Sequence, residues 1–491
     1  FSFAGTWKSG VSDITGDNAI FQKIKNSQWE LKNYFNQLYT KEKYTWGIRS
    51  YIRYTHCSAS LTVAHRNLPI LFADNMLIAN CIYHRNELSS SDNISENTYR
   101  TVIGQTHESI LAEYEEMNTG NAYTDNALYG MRKINGVNYQ LTGGFCGELS
   151  SVKQENAYSA HSYSFYTVPR IEWERNDFLF TAATTVRWTH LPKQSYSRFC
   201  VSPFFCFRYK FTPRWKMSLL GSLDESEGGL KDIYPFRYRE DYRTVVKHTG
   251  KVPVTVRQLY TCYLEYKNTI KEFFWTLSAS YSHNRYNLIT ERNYKDGNFY
   301  LSSVERNHSS HSYTLNTIGS KGIYDWNLKT SLELTLARNK GKQLNEDIVQ
   351  DYRYDYLCVE PKIVWAPSVF FEAEYKATVS CVGGGIGEDT SLDPLWEVAQ
   401  RLTLSLEFHD TEFRLSGEHF YNDLSKNQHL NIWLADVSLI HKVGKWRFAA
   451  SAINLFNKEQ YRYTLYSAVQ SYTSWIKLRP REFMVSVQYQ W

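Results

Sequence analysis

Residues 482–491 read Glu482-Phe483-Met484-Val485-Ser486-Val487-Gln488-Tyr489-Gln490-Trp491. Phe483, Val485, Val487, Tyr489 and Trp491 are apolar or aromatic, and Ser486, Gln488 and Gln490 between them are polar. Successive side chains of an extended chain point to opposite faces, so this stretch predicts a strand with one apolar and one wet face. The same period recurs upstream. Tyr44, Trp46, Ile48, Ile52 and Tyr54 alternate with Thr45, Arg49, Arg53 and Thr55, and Leu402, Leu404, Leu406 and Phe408 alternate with Arg401, Thr403, Ser405 and Glu407. A strand buried on both faces would not carry Arg and Glu at every second position. Helical periodicity is scarce. The longest apolar runs are four residues, such as Ile70-Leu71-Phe72-Ala73 and Phe204-Phe205-Cys206-Phe207, where a spanning helix needs ~20.

Short polar or Pro/Gly links separate these alternating runs, as tight hairpins require. They fall at Arg175-Asn176-Asp177, Thr212-Pro213-Arg214, Lys267-Asn268-Thr269, Lys321-Gly322, Ala366-Pro367-Ser368, His409-Asp410-Thr411 and Val443-Gly444-Lys445. Each interval between them holds two strands of ~10 residues and a longer polar loop. Further links are read at Thr40-Lys41-Glu42-Lys43, Asn67-Leu68-Pro69 and Asn135-Gly136, and Phe1 to Trp7 supplies one more strand. The pattern predicts an up-and-down meander of about 22 strands, with short turns at one end and long loops at the other.

An open sheet of that size would leave raw edges, and closure removes them. A soluble barrel so wide could not fill its lumen with side chains. In a membrane the pattern inverts, with apolar residues toward lipid and polar residues toward the lumen. The composition fits. Tyr 38 and Trp 14 outnumber Phe 26, and such amphipathic rings suit membrane boundaries. A mean hydropathy of −0.49 averages a lipid-facing set with a water-facing one. The expected fold is therefore all-β: a transmembrane antiparallel barrel over residues 1–491, as a single domain. Lys and Arg number 55 against 50 Asp and Glu, a balance of +5, which does not suggest nucleic-acid binding over so long a chain. The eight cysteines form no CxxC pair and no zinc spacing, so they do not decide a redox compartment.

The C-terminal residues also carry a resemblance. Ala452-Ile453-Asn454-Leu455-Phe456-Asn457-Lys458, then Tyr461, then Leu478-Arg479-Pro480-Arg481-Glu482-Phe483 and a terminal aromatic resemble the end of TonB-dependent outer-membrane receptors, in the flavour of the Bacteroidota. The resemblance implies a cell outer membrane of a Gram-negative bacterium, turns toward the periplasm and loops outward. It also implies a final strand, Phe483, Val485, Val487, Tyr489 and Trp491, that the outer-membrane assembly machinery reads. Family members carry an N-terminal plug and a TonB-contacting segment. Neither is visible here, since by Tyr44 the sequence already reads as barrel and Phe1 opens with no initiator Met or signal peptide. A barrel this wide needs something inside it. TonB is expected as a partner only if a plug lies upstream.

Other candidates are weaker. Gly383-Gly384-Gly385-Ile386-Gly387, followed by Glu388-Asp389-Thr390-Ser391, lacks the Lys-Ser/Thr of a P-loop and reads as a strand end opening into a loop. His308 and His311 fall on opposite faces of a strand. Asp224, Glu225, Glu227 and Asp232 with Gly228-Gly229 do not match a calcium loop and read as a solvated acidic loop, as do Glu113, Glu115 and Glu116. Cys200 and Cys206 read as unpaired. Arg49, Arg53, Lys329, Glu333, Glu372, Glu374 and Lys376 belong to a polar wall. Tyr461, Tyr463, Tyr466 and Tyr472 suit either a ligand or a membrane boundary. No catalytic arrangement, cofactor or metal site is read, so an enzyme is not expected.

The leading expectation is a receptor barrel importing a scarce or bulky ligand of glycan, peptide or siderophore class. The alternative is a non-transporting barrel subunit of an outer-membrane structural or assembly complex, with surface lipoprotein or other subunits as partners. A soluble carbohydrate-active β protein is the third reading.

Overall fold

The computed structural model describes residues 2–16, 20–41, 44–65, 100–103, 111–153, 157–239, 244–295, 298–387, 390–425, 428–466 and 471–489. Twenty-three strands join one sheet, and Gln460–Tyr466 with Ser471–Lys477 form a separate hairpin. The long strands follow one another antiparallel in chain order, from Ser2–Gly16 to Glu482–Tyr489. Arg100–Ile103, Tyr238–Arg239 and Thr244–Lys247 are short pieces lying within longer connections. The architecture is a β-barrel of the outer-membrane type, and no helix is long and apolar enough to cross a membrane.

The register explains the alternation. Leu336 of Leu328–Asn345 pairs with Leu357 of Ile348–Ser368 and with Leu315 of Asn298–Ile323. Leu332, 51% exposed, lies on the same face. The opposite face carries Lys329, Glu333 and Thr335 on one strand and Cys358, Glu360 and Lys362 on the next. On Tyr44–His65 the exposed side chains include Tyr44, Trp46, Ile48, Ile52 and Tyr54, whereas Arg53, Thr55 and Cys57 are buried. Apolar residues thus face outward and polar residues inward, an arrangement that only a hydrocarbon surround stabilises.

The hairpin links fall mostly where turn chemistry predicts. Asn135 (φ 49°) and Gly136 (φ 81°) both take positive φ, the pattern of a type I′ turn, and Asn176, His409 and Gly444 mark three more links. Three links lie further along the chain than expected. Strand Val254–Asn268 runs through Lys267-Asn268, and its turn follows at residues 269–272. The strand through Lys321-Gly322 runs on to Ile323, and a 3-10 turn, Tyr324–Trp326, closes on Asn327 at φ 48°. The strand through Ala366-Pro367-Ser368 absorbs its proline in a register shift between Trp365 and Ser368, leaving Val369 and Phe370 at the tip. A bulge tolerates the missing amide hydrogen of proline. Asn67-Leu68-Pro69 lies outside the described residues.

The expectation of long loops at the other end needs correction. Most links there are as short as those opposite, and the extra residues continue as strand. Phe273–Lys295 has 23 residues and its partner Asn298–Ile323 has 26, more than twice what a tilted strand needs to cross hydrocarbon. Ladder pairing satisfies the backbone in water as well as in lipid, so nothing stops a hairpin at the membrane surface. Two described connections are long: one carries the separate hairpin before Glu482–Tyr489, and the other runs between Trp215–Glu227 and Val254–Asn268.

Candidate functional site

That connection folds back over the inward wall. Its neck is pinned on both sides. The Gly228 N–H donates to Pro253 O (2.8 Å), and Asn287 spans the other side, accepting from Val254 N (2.7 Å) and donating to Val252 O (2.9 Å). Asn287 occupies a register shift between Tyr286 and Leu288, and such a bulge re-aims a side chain. Gly228 is required there, because a Cβ would lie 2.7 Å from Pro253 Cγ. The segment leaves and returns at one point, like an Ω-loop.

Its aromatic residues are buried against barrel strands. Ile233 is 1% exposed and Tyr234 0%. They cluster with Tyr238, Val246 and Val252, and with Met117, Val152, Tyr158, Ala160 and Leu191 from the inward wall. Tyr234 meets Tyr158 edge-on at 5.7 Å. On the far side Thr244–Lys247 pairs parallel with Phe299–Ser302, and His248 Nδ1 lies 2.8 Å from Ser303 Oγ. The segment therefore bridges two stretches of wall at the end opposite the short turns.

Beneath it lies a cleft of about 150 Å³, lined by Tyr123, Cys146, Glu148, Ser162, Arg187 and Glu227 among others. Arg187 donates to Glu227 Oε2 (2.7 Å) and to the Glu225 carbonyl (2.9 Å). Arg198 pairs with Glu225, and Cys200 Sγ donates to Glu227 Oε1 (3.4 Å). Asn121 donates to Glu148 (2.6 Å) and Ser150 (2.7 Å), and Arg53 sits over the Tyr123 ring at 5.7 Å. Lower on the wall, Arg49 pairs with Asp125 (3.2 Å) while Tyr166 OH donates to Asp125 Oδ1 (2.7 Å). The Tyr166 ring lies across Gly144, where a Cβ would come within 2.4 Å of it. Above the membrane level, burial pushes the Tyr196 phenol up to about 12, with Glu227 adding to the shift, and burial also raises Tyr158. The cleft offers alternating donors and acceptors with both charge signs, a surface suited to a polar ligand. Among the described residues no three metal-ligating side chains converge.

The structure sorts the remaining candidates. Arg49 and Arg53 belong to this network. Lys329 and Glu333 share the inward wall, where Glu333 accepts from Asn316 (2.7 Å). Glu374 pairs with Lys362 (2.9 Å) on the same face, where Glu372 and Lys376 also lie. The solvated acidic loop is a correction: Glu225 and Glu227 bind arginines on the wall, and Asp232 accepts from Gly229 N (3.0 Å) at the start of a one-turn helix. His308 and His311 do take opposite faces, stacking on Tyr286 and His283 respectively. Cys200 and Cys206 are free, both inward. Cys57 is disulfide-bonded, which spacing did not reveal. Gly383–Gly385 lie within strand Phe371–Ile386. Phe483, Val485, Val487 and Tyr489 form the outward face of the last strand, and Tyr489 meets Trp446 at 4.8 Å. Trp491, the side chains of Glu113, Glu115 and Glu116, and those of Tyr461, Tyr463, Tyr466 and Tyr472 lie outside the described residues, as do Glu388 and Asp389. The folded-back segment was missed, although its Gly228-Gly229 and Tyr234-Pro235-Phe236 sit in one of the widest gaps between short turns.

No family model matches the chain, and no curated protein matches it in sequence. Among solved structures it is similar to the ferric yersiniabactin uptake receptor FyuA of Yersinia pestis, at 8% identity and a TM-score of 0.38, covering 98% of this chain and 79% of that one. A mutant of the ferric enterobactin receptor PfeA of Pseudomonas aeruginosa gives 11% and 0.43, covering 99% and 69%. The copper transporter OprC gives 9% and 0.41, covering 99% and 81%. The fold assignment itself rests on the strand register and the two faces described above.

Proposed function

We propose that this chain is the barrel of an outer-membrane receptor of a Gram-negative bacterium, taking up a polar ligand too bulky or scarce for free diffusion. The observation that carries this reading is the cleft at the mouth, where a neck-pinned segment roofs a charged and hydrogen-bonding wall. An open pore needs no roof, whereas a receptor must hold its ligand before passing it inward. The solved uptake receptors named above bear on the reading only as neighbours in architecture. Energised import requires a plug and a TonB contact upstream of Phe1, so TonB is a partner on that condition. The outer-membrane assembly machinery is the partner for Phe483, Val485, Val487, Tyr489 and Trp491 during insertion.

Spent-medium metabolite profiling tests the proposal. Cells carrying the gene should deplete a polar compound that a deletion strain leaves behind, and an uncoupler should abolish the difference. Identical media from both strains, with stoichiometric protein partners retained in mild detergent, would replace it with the non-transporting complex subunit.

A further inference from the structure

The outward face of the long hairpins changes character along its length. Across four strands, Leu315, Leu336, Leu357 and Cys381 form one outward row through consecutive register pairs. The next row is Tyr313, Arg338, Asp355 and Gly383, and the one beyond it is His311, Lys340, Arg353 and Gly385. The apolar outward stretch runs from Leu328 to Leu336 and from Leu357 to Trp365, about the length a strand needs to cross hydrocarbon. The change from leucine to charge therefore marks the membrane boundary at the end opposite the short turns.

A groove of about 910 Å³ lies across this boundary, with Ala279, Leu315, Leu336 and Leu357 on one side and Arg338, Lys340 and Arg353 on the other. A second hollow of about 580 Å³ continues it past Lys340 and Lys342 toward Gly385. The glycine run makes the space. Gly383 and Gly385 stand in the outward rows without side chains, and a Cβ on Gly383 would have only Pro394 Cα within 4.0 Å. Charge on the rim is unbalanced. Asp355 is shared by Arg338 and Arg353 (2.5 and 3.0 Å), Asp351 pairs with Lys342 (3.4 Å), and Lys340 has no ion-pair partner among the described residues.

We propose that this groove binds a phosphate-bearing membrane lipid, with an acyl chain along the leucine floor and the phosphate between Lys340, Lys342 and Arg353. The occupant follows from the placement. Only a molecule half in hydrocarbon and half in water meets both parts of the groove, and four cations against two carboxylates favour an anionic headgroup. The Tyr313 ring, half-exposed in the boundary row, adds an amphipathic wall.

The full chain in mild detergent is titrated with dioleoylphosphatidic acid and with dioleoylphosphatidylcholine, and bound lipid is read by native mass spectrometry. Heat-dependent gel mobility reports folding of every variant. Phosphatidic acid should bind in preference to phosphatidylcholine. Lys340→Gln with Lys342→Gln should weaken it roughly fivefold per lysine, on the order of 25-fold together. Gly383→Leu, which fills the floor and leaves every cation, should weaken it at least ~10-fold. Equal binding of both lipids, unchanged by either variant, would overturn the site as a nonspecific lipid annulus. Full displacement by inorganic phosphate at equal concentration, with Gly383→Leu unaffected, would overturn the lipid in favour of a bare anion site.

Discussion

The outward wall around Leu332 and the mouth segment around Tyr234 use the same kinds of side chain in opposite ways. Leu332 is half-exposed on the outer face, whereas Tyr234 has no exposed surface at all. The first is stabilised by lipid that the chain does not supply. The second is stabilised by protein, through burial against Tyr158 and Leu191. In this molecule the protein-made core described at the mouth is small and local, and the rest of the apolar surface depends on its solvent.

The sharpest test of the contrast is Tyr234→Ala. Emptying a fully buried aromatic site should cost about 3–5 kcal/mol of local stability, seen as protease cleavage within residues 228–253 while the heat-dependent gel shift of the barrel is unchanged. Loss of the gel shift would mean that the mouth core and the wall are one cooperative unit. Next is Leu332→Arg, midway along the apolar stretch, expected to cost about 2–4 kcal/mol in lipid, measured by urea unfolding in bilayers. A neutral result would mean that this face does not meet hydrocarbon.

A smaller effect is expected inside. Asp125→Asn removes the partner of Arg49, and both are partly exposed to the lumen, so the cost should stay below about 1 kcal/mol. A several-fold larger loss would indicate a dry lumen. The smallest effect concerns pH. Burial raises Tyr196 to about 12 and raises Tyr158, so the folded state holds the neutral phenols, while unfolded phenols ionise near pH 10. Their contribution is fully present below pH 10 and is lost as pH rises above it, toward about 12 for Tyr196. Tyrosinate absorbance should show one fewer late-titrating phenol in Tyr196→Phe than in the parent chain.

Much of the wall was legible in the sequence because its signals are local. The alternation of Leu402, Leu404 and Leu406 with Arg401, Thr403 and Ser405 fixes the faces, and Asn135-Gly136 can form a type I′ turn wherever it stands. The shifted turn at Tyr324–Trp326 was harder to read, since Lys321-Gly322 looks like a turn and pairs as strand. The candidate site was only half legible. Arg49 and Arg53 follow from parity on their strand, but their partners Asp125 and Asn121 come from a strand some 70 residues away. Glu225 and Glu227 looked like a solvated cluster because the arginines that meet them, Arg198 and Arg187, lie on neighbouring strands.

By itself, then, the sequence determined the strands, most of their hairpins and which side chains face lipid, because alternation and turn chemistry act over a few residues. Only the tertiary structure decided that Ile233 and Tyr234 turn inward, that Asn287 pins the neck of their segment, and that two glycines open a groove beside four cations. Those features depend on contacts between strands distant in the chain, which no local pattern of residues encodes.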